Sequence, residues 1–198
     1  MKEALKAFAR GASLLLVMPH LASYALRAAV MGRDRALEGS MHTLGLLPGV
    51  TGEYIRRAFL ARVLGHCANS AVIGYGVLIS QAGTRIDDHV YIGPRCHLGL
   101  VHLEPDVLLA AGVHIPSGRH THGTDGDGPI REQEGRRTMV RIGAGSWIGS
   151  NAVVMADVGR ETIVGAGAVV TKPLPPRVIA AGVPARVVRQ RDDAVAVS

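Results

Sequence analysis

Residues 142–170 read IGAGSWIGSNAVVMADVGRETIVGAGAVV, and this stretch decides the fold. Ile142, Ile148 and Val154 lie six apart, and after a shortened step Val158, Val164 and Val170 do the same. A period of six fits neither the 3.6-residue turn of an α-helix nor the simple alternation of a half-buried strand. It is the hexapeptide signature of a β-helix, in which each hexad supplies a short strand and a corner. Three hexads close one coil, and the aliphatic residue of each points inward onto its counterpart in the next coil. A small residue often follows it (Gly93, Gly99, Gly143, Gly149, Gly165). Glycine suits corners that need a positive φ or a close approach of backbone.

Working outward, the same phase holds at Ile86, Ile92 and Leu98, and again at Leu103, Leu109 and Ile115. It is lost after Ile115 and recovered at Ile142. The interruption, PSGRHTHGTDGDGPIREQEGRRTMVR, is polar and rich in glycine. A long loop set into a compact repeat is commonly functional. The expected architecture is therefore all-β, a parallel β-helix over residues 69–190 with an inserted loop at 116–141. A helical extension at 1–68 precedes it and a short tail at 191–198 follows. Stacked repeats need caps at their open ends. The N-terminal helices and the final PARVVRQR segment are the candidates.

Composition agrees with a thin-layered aliphatic core: 47% of the 198 residues are hydrophobic but only 4% are aromatic. Cys67 and Cys96 are too few for a disulfide framework and read as small buried hydrophobes in a reducing, cytoplasmic setting. The formal charge of +6 suits an anionic partner. Nucleic acid is disfavoured, because the basic residues lack a set of aromatic stacking partners.

Residues 4–31 are mostly Ala, Leu and other apolar types that favour helix. Pro19, His20 and Arg27 interrupt the run, and Lys2, Lys6 and Arg10 precede its richest part. The segment suits a helix packed on the protein itself or lying on the inner membrane surface as a peripheral contact, and suits a spanning helix less well. In the following LGLLPGVTGEYIRRAFLARVLGHC, Thr51 or Gly52 is placed to cap a helix. Its apolar stripe is Ile55, Phe59, Leu60, Val63 and Leu64. Arg56, Arg57 and Arg62 are then expected to face solvent or lipid headgroups, and the helix to cap the next domain.

Residues 147–189, WIGSNAVVMADVGRETIVGAGAVVTKPLPPRVIAAGVPARVVR, resemble the C-terminal coils of the left-handed β-helix hexapeptide-repeat acyltransferases. Galactoside and maltose acetyltransferases and polysaccharide O-acetyltransferases belong to that family. The LLPGVTGEYIRRAF segment is similar to that of exopolysaccharide-associated members. The resemblance implies left-handed winding and a homotrimer, with acetyl-coenzyme A as co-substrate held between subunits. Ser150 in WIGS, Ala166 in GAGAVV, and Thr171 and Lys172 in VVTK match coenzyme-contact positions. Arg186 and Arg189 are candidates for the nucleotide phosphates, since the guanidinium fork suits phosphate. Trp147 is a candidate for packing beside the acyl or acceptor group, or for filling a corner. The family's general base is a histidine near the start of the inserted loop. SGRH points to His120, whereas spacing to Trp-Ile-Gly and an S-G-x-x-x-H form point to His122, which is slightly preferred.

The chemistry asks for such a residue. A sugar hydroxyl is a poor nucleophile at neutral pH, and an imidazole can take its proton as it attacks the thioester. A backbone N–H or a hydroxyl such as Ser117 would meet the developing oxyanion. Asp125 and Asp127 stand in a DGDG setting that suits a surface bend better than orientation of the imidazole. The expected acceptor is a hydroxyl, with an amine as the second choice, of a sugar or a lipid-linked glycan precursor, with no metal required.

Two rivals remain open. One is a zinc enzyme on the same fold, similar to gamma-type carbonic anhydrases, with His97 and His102 five residues apart and His114 as a third ligand. The glycine-rich context of those relatives is absent here. The other is a non-catalytic β-helix scaffold.

Overall fold

The computed structural model describes residues 2–123 and 126–191, with side chains from residue 7 onward. Three helices come first: α1 (Lys2–Met31), α2 (Arg33–Leu44) and α3 (Gly49–Val63). Gly32, at φ 87°, makes the bend between α1 and α2. Pro48 rather than Thr51 or Gly52 is the N-cap of α3. Gly52 serves another purpose: a Cβ there would stand only 2.1 Å from the Leu47 carbonyl oxygen.

Sixteen short strands follow, arranged as three faces of a prism. One face stacks β1 (His66–Cys67), β4 (Arg85–Ile86), β7 (Val101–Leu103) and β10 (Val140–Ile142). Bridges through Val158 and Leu174 continue it. The second stacks β2 (Val72–Ile73), β5 (Tyr91–Ile92), β8 (Leu108–Leu109), β11 (Trp147–Ile148), β13 (Ile163–Val164) and β15 (Val178–Ala181). The third stacks β3 (Leu78–Ile79), β6 (His97–Leu98), β9 (His114–Ile115), β12 (Val153–Val154) and β14 (Val169–Val170). Every neighbouring pair within these faces is parallel. The chain forms a β-solenoid, and its coil begins at His66, slightly ahead of the expected residue 69.

The hexad phase and the core coincide. Ile86, Ile92, Leu98, Leu103, Leu109, Ile115, Ile142, Ile148, Val154, Val164 and Val170 are fully buried, and Val158 nearly so. Burying each such side chain contributes roughly 1.5–3 kcal/mol relative to leaving it exposed. Register holds the column straight: Ile73 meets Ile92, Ile92 meets Leu109, Leu109 meets Ile148 and Ile148 meets Val164.

Of the two reasons for small residues after the inward position, close approach is the one that applies. A Cβ on Gly149 would lie 2.5 Å from the Ala166 nitrogen on the next coil. Positive φ falls later in the corner, in a column that includes Gly112, Asn151 and Gly167.

Both ends are covered. Leu37, Met41, Leu44, Phe59, Leu60 and Val63 from α2 and α3 join the same buried cluster as Ile73 and Ile79. At the other end β16 (Arg186–Gln190) turns back antiparallel onto β15.

Arg56 corrects the sequence reading, for it is completely buried. Its Nε donates to the Ile73 carbonyl at 3.0 Å, and its Nη1 donates to the carbonyls of Leu44 (3.2 Å) and Leu47 (2.7 Å). The charge thus closes the C-terminal end of α2, where the helix dipole favours a cation, and ties it to the first coil. Burial lowers the Arg56 pKa from its ordinary value, with Glu53 acting in the opposite sense.

Candidate functional site

The inserted segment leaves the prism after Ile115 and rejoins at Val140, which pairs with Val101. It is a folded excursion. The outgoing limb, from Ser117 to Gly123, runs beside the returning limb, from Gln133 to Thr138. The Thr138 N–H donates to the Ser117 carbonyl at 2.9 Å, and the Arg136 N–H donates to the His120 carbonyl at 2.6 Å. Gly135 lets the limbs meet, since a Cβ there would be 2.1 Å from the Thr121 oxygen. Near the tip, the Gln133 amide donates to the carbonyls of Gly126 (2.7 Å) and Gly128 (3.2 Å). Asp127 is exposed in a bend; Asp125 lies outside the described residues.

His120 and His122 both lie on the outgoing limb with exposed side chains. Between them, Thr121 helps to line a cleft of about 970 Å³. The opposite wall is the start of α2, with Arg35 and Glu38. The floor is the corner Ser80–Gly83 together with His97, His114, Pro116 and Ser117, and Arg137 closes the loop side. Neither His120 nor His122 is itself among the walls. Ser117 is buried, and its Oγ accepts from the Leu100 N–H at 2.9 Å, so the hydroxyl pins the corner as well as facing the cleft.

The histidines of the zinc reading do not assemble. His97 and His114 stack on the third face, with ring centroids 5.0 Å apart and planes 1° from parallel. His102 is on the first face, its Nε2 2.8 Å from Asp87 Oδ2. Among the described residues no group of three potential metal ligands comes together. Burial, with the neighbouring His97, lowers the His114 pKa from its ordinary value. The stacked pair is a feature that sequence reading missed as a unit. Its signal was present: His97 and His114 each directly precede an inward aliphatic residue on consecutive coils.

The coenzyme candidates fall on the lower coils. Ser150 and Ala166 occupy the same corner one coil apart, and the Gly167 N–H donates to the Ser150 carbonyl at 2.8 Å. Strand β14 leads from that corner to Thr171 and Lys172. Ala166 and Lys172 are exposed, while Ser150 and Thr171 are half-buried. Arg186 and Arg189 project from β16, each making only local backbone hydrogen bonds. Trp147 is on the outer surface of the second face, between Leu108 and Ile163 in register. It is 49% exposed, so it does not fill a corner of the core.

These features define a class. By repeat, register and architecture the chain has a hexapeptide-repeat β-solenoid fold, and residues 139–172 match the family described as bacterial transferase hexapeptide (six repeats). Among named relatives, it is 48% identical over 56 residues to the galactoside O-acetyltransferase of Escherichia coli K12, which is 27% of this chain and 28% of that enzyme. It is 42% identical over 119 residues to the serine acetyltransferase of Salmonella typhimurium LT2, which is 60% of this chain and 36% of that enzyme. The matched part thus spans about a third of each relative's length or less. Among solved structures, a maltose O-acetyltransferase from Clostridium difficile 630 superposes with a TM-score of 0.69 at 19% identity, covering 84% of this chain and 91% of that one. A hexapeptide-repeat acetyltransferase from Vibrio cholerae, complexed with acetyl-coenzyme A, gives 0.63 at 21% identity, covering 83% and 92%. At these identities the superpositions establish the shared fold.

Proposed function

We propose that the protein is an acetyltransferase that moves the acetyl group of acetyl-coenzyme A to a hydroxyl of a sugar or glycan precursor. The observation that carries this reading is the placement of the histidine-bearing loop. It springs from the coil directly before residues 139–172, which match the bacterial transferase hexapeptide family, and leaves the prism at the corner after the third face. In this reading its imidazole reaches the corner column of Ser150 and Ala166 on a neighbouring subunit. In this reading His122 is the general base, with His120 as the second candidate.

The reaction needs no metal and no thiol nucleophile. The imidazole takes the hydroxyl proton as the oxygen attacks the thioester carbonyl. A tetrahedral oxyanion forms, the C–S bond breaks, and the imidazolium returns the proton to the leaving thiolate. The pantetheine arm would lie along Gly165 and Ala166, with Thr171 and Lys172 at its far end and Arg186 and Arg189 toward the nucleotide phosphates. Cys96 is fully buried and Cys67 is buried, so in this reading neither thiol serves as a nucleophile.

The active assembly in this reading is a homotrimer working in the cytoplasm. Tyr91, Leu108 and Trp147 stack as an exposed apolar column on the second face, which supports a subunit contact there. Trp147 would then stand at the cleft between subunits, near the acyl or acceptor group.

A thiol-release assay with acetyl-coenzyme A across a panel of sugars tests the proposal. Wild type is expected to turn over at least one acceptor, with His122→Ala lowering kcat by roughly 10²–10⁴-fold. Equal turnover in wild type, His120→Ala and His122→Ala would refute the base. Failure of the full chain to bind acetyl-coenzyme A would favour a scaffold.

A further inference from the structure

Helix α1 has two unlike faces. Toward the protein it presents Ser13, Val17 and Tyr24, all buried, with the Tyr24 ring edge-on to Phe59 at 5.6 Å. Away from the protein it presents Phe8, Leu15, Leu16, Met18, Leu26 and Val30, each more than half exposed. No charged residue occurs between Arg10 and Arg27. Residues 11–26, which hold no Asp, Glu, Lys or Arg, make a strip about 24 Å long at 1.5 Å per residue. Scattered surface leucines are ordinary, but a continuous strip of this size marks an interaction surface.

Its border supplies the chemistry of the partner. Between α1 and α3 lies a pocket of about 250 Å³ walled by Arg10, Arg57 and Arg62, with Tyr54, Asn69 and the flank of α1 at Gly11 and Leu14. None of its lining residues is acidic. The Arg57 guanidinium stacks over the Tyr54 ring at 4.5 Å, which holds it in place. A cluster of cations beside an uncharged apolar strip is complementary to an anionic lipid surface, phosphates above and acyl chains below.

We propose that α1 is a peripheral membrane anchor that lies in the plane of an anionic bilayer. Its outer face enters the acyl boundary, and the pocket of Arg10, Arg57 and Arg62 receives a lipid phosphate. The segment Ala7–Met31 is long and apolar enough to cross a membrane by length and composition. The packing argues for the flat arrangement. Spanning would strip Val17 and Tyr24 from Phe59, and would break the bonds by which Arg27 donates to Ser40 Oγ (2.9 Å) and to the Ala36 carbonyl (3.3 Å). The anchor is independent of the acetyl-transfer reading.

Cosedimentation of the full chain with phosphatidylcholine vesicles, with and without phosphatidylglycerol, tests the anchor. Wild type should pellet with the anionic vesicles and be released by alkaline carbonate. The double variant Leu15→Glu/Leu26→Glu should stay in the supernatant. Arg10→Ala/Arg62→Ala should lose about tenfold or more of the preference for anionic vesicles. All four side chains are on the surface or at its edge, and unchanged circular dichroism confirms intact folding. Three results would overturn the proposal: wild type free of both vesicles, leucine variants that still bind, or resistance to carbonate as for a spanning helix. A change of oligomeric mass in the leucine variant without vesicles would also overturn it, by assigning the strip to a second copy.

Discussion

The imidazoles of His97 and His114 lie flat against each other, 5.0 Å between centroids, on consecutive coils of one face. Two protonated rings at that distance repel, and burial already disfavours charge on His114. His20, against Phe59 in the helical cap, is also held below its ordinary pKa, by burial and then by Arg27. A histidine with a lowered native pKa binds fewer protons folded than unfolded as pH falls below about 6.5, so stability must rise with pH there. We expect urea-unfolding stability to be level between about pH 7 and 8 and to fall below about 6.5. The slope should be shallower in His114→Gln.

Arg56 offers a sharper test of the cap. Arg56→Met removes three donors from buried carbonyls and should cost about 3–5 kcal/mol in urea unfolding. Arg56→Lys should recover little, because one ammonium cannot span the carbonyls of Leu44, Leu47 and Ile73. A loss under 1 kcal/mol in Arg56→Met would show that the latch is dispensable.

The two kinds of corner glycine should respond differently. Gly149→Ala forces a methyl group into the Ala166 backbone and should destabilise by about 1–3 kcal/mol. Gly167 has a φ of 67° with open space around it, and Asn151 occupies the same corner column at φ 58°. Gly167→Asn should therefore change stability by no more than about 0.5 kcal/mol. Chemical denaturation of both variants checks the contrast.

Both thiols should be silent in the native state. Burial pushes Cys67 up to about 12 and Cys96 up to about 11. Only the thiolate reacts. Ellman's reagent at pH 8 should detect no thiol in the folded chain and two after denaturation.

The inserted loop can be disturbed without touching the prism. Gly135→Ala places a methyl group against the Thr121 backbone and should splay the limb that carries His120 and His122. We expect a fall in acetyl transfer of at least tenfold with a melting temperature within a few degrees of wild type. A matching collapse of stability would mean that the loop is part of the core.

The prism was legible because one position in each hexad has a single permitted environment. Leu103, Leu109 and Ile115 have nowhere to go but inward, and the loss of phase after Ile115 marked where the chain departs. Arg56 was misread for a physical reason. A guanidinium is ordinarily solvated, yet this one sits three, four and seven residues before Phe59, Leu60 and Val63, which is the buried stripe of α3. The spacing carried the signal and the residue type obscured it. The meeting of His97 with His114, and of Ser150 with Ala166, depends on coil lengths. Those vary from 19 residues between Ile73 and Ile92 to 16 between Ile148 and Val164. The limb-to-limb hydrogen bonds of the loop leave no periodic trace at all.

Leu103 is bonded to the strand of Ile142 as if the 38 intervening residues held only an ordinary coil and nothing more. The excursion is thus mechanically decoupled from the stack that carries it. Such a joint behaves as a socket: mutation can lengthen, shorten or exchange the projecting piece while the load passes undisturbed along the aliphatic column. Divergence in what the protein recognises can proceed at that socket without renegotiating how the rest of the chain holds together.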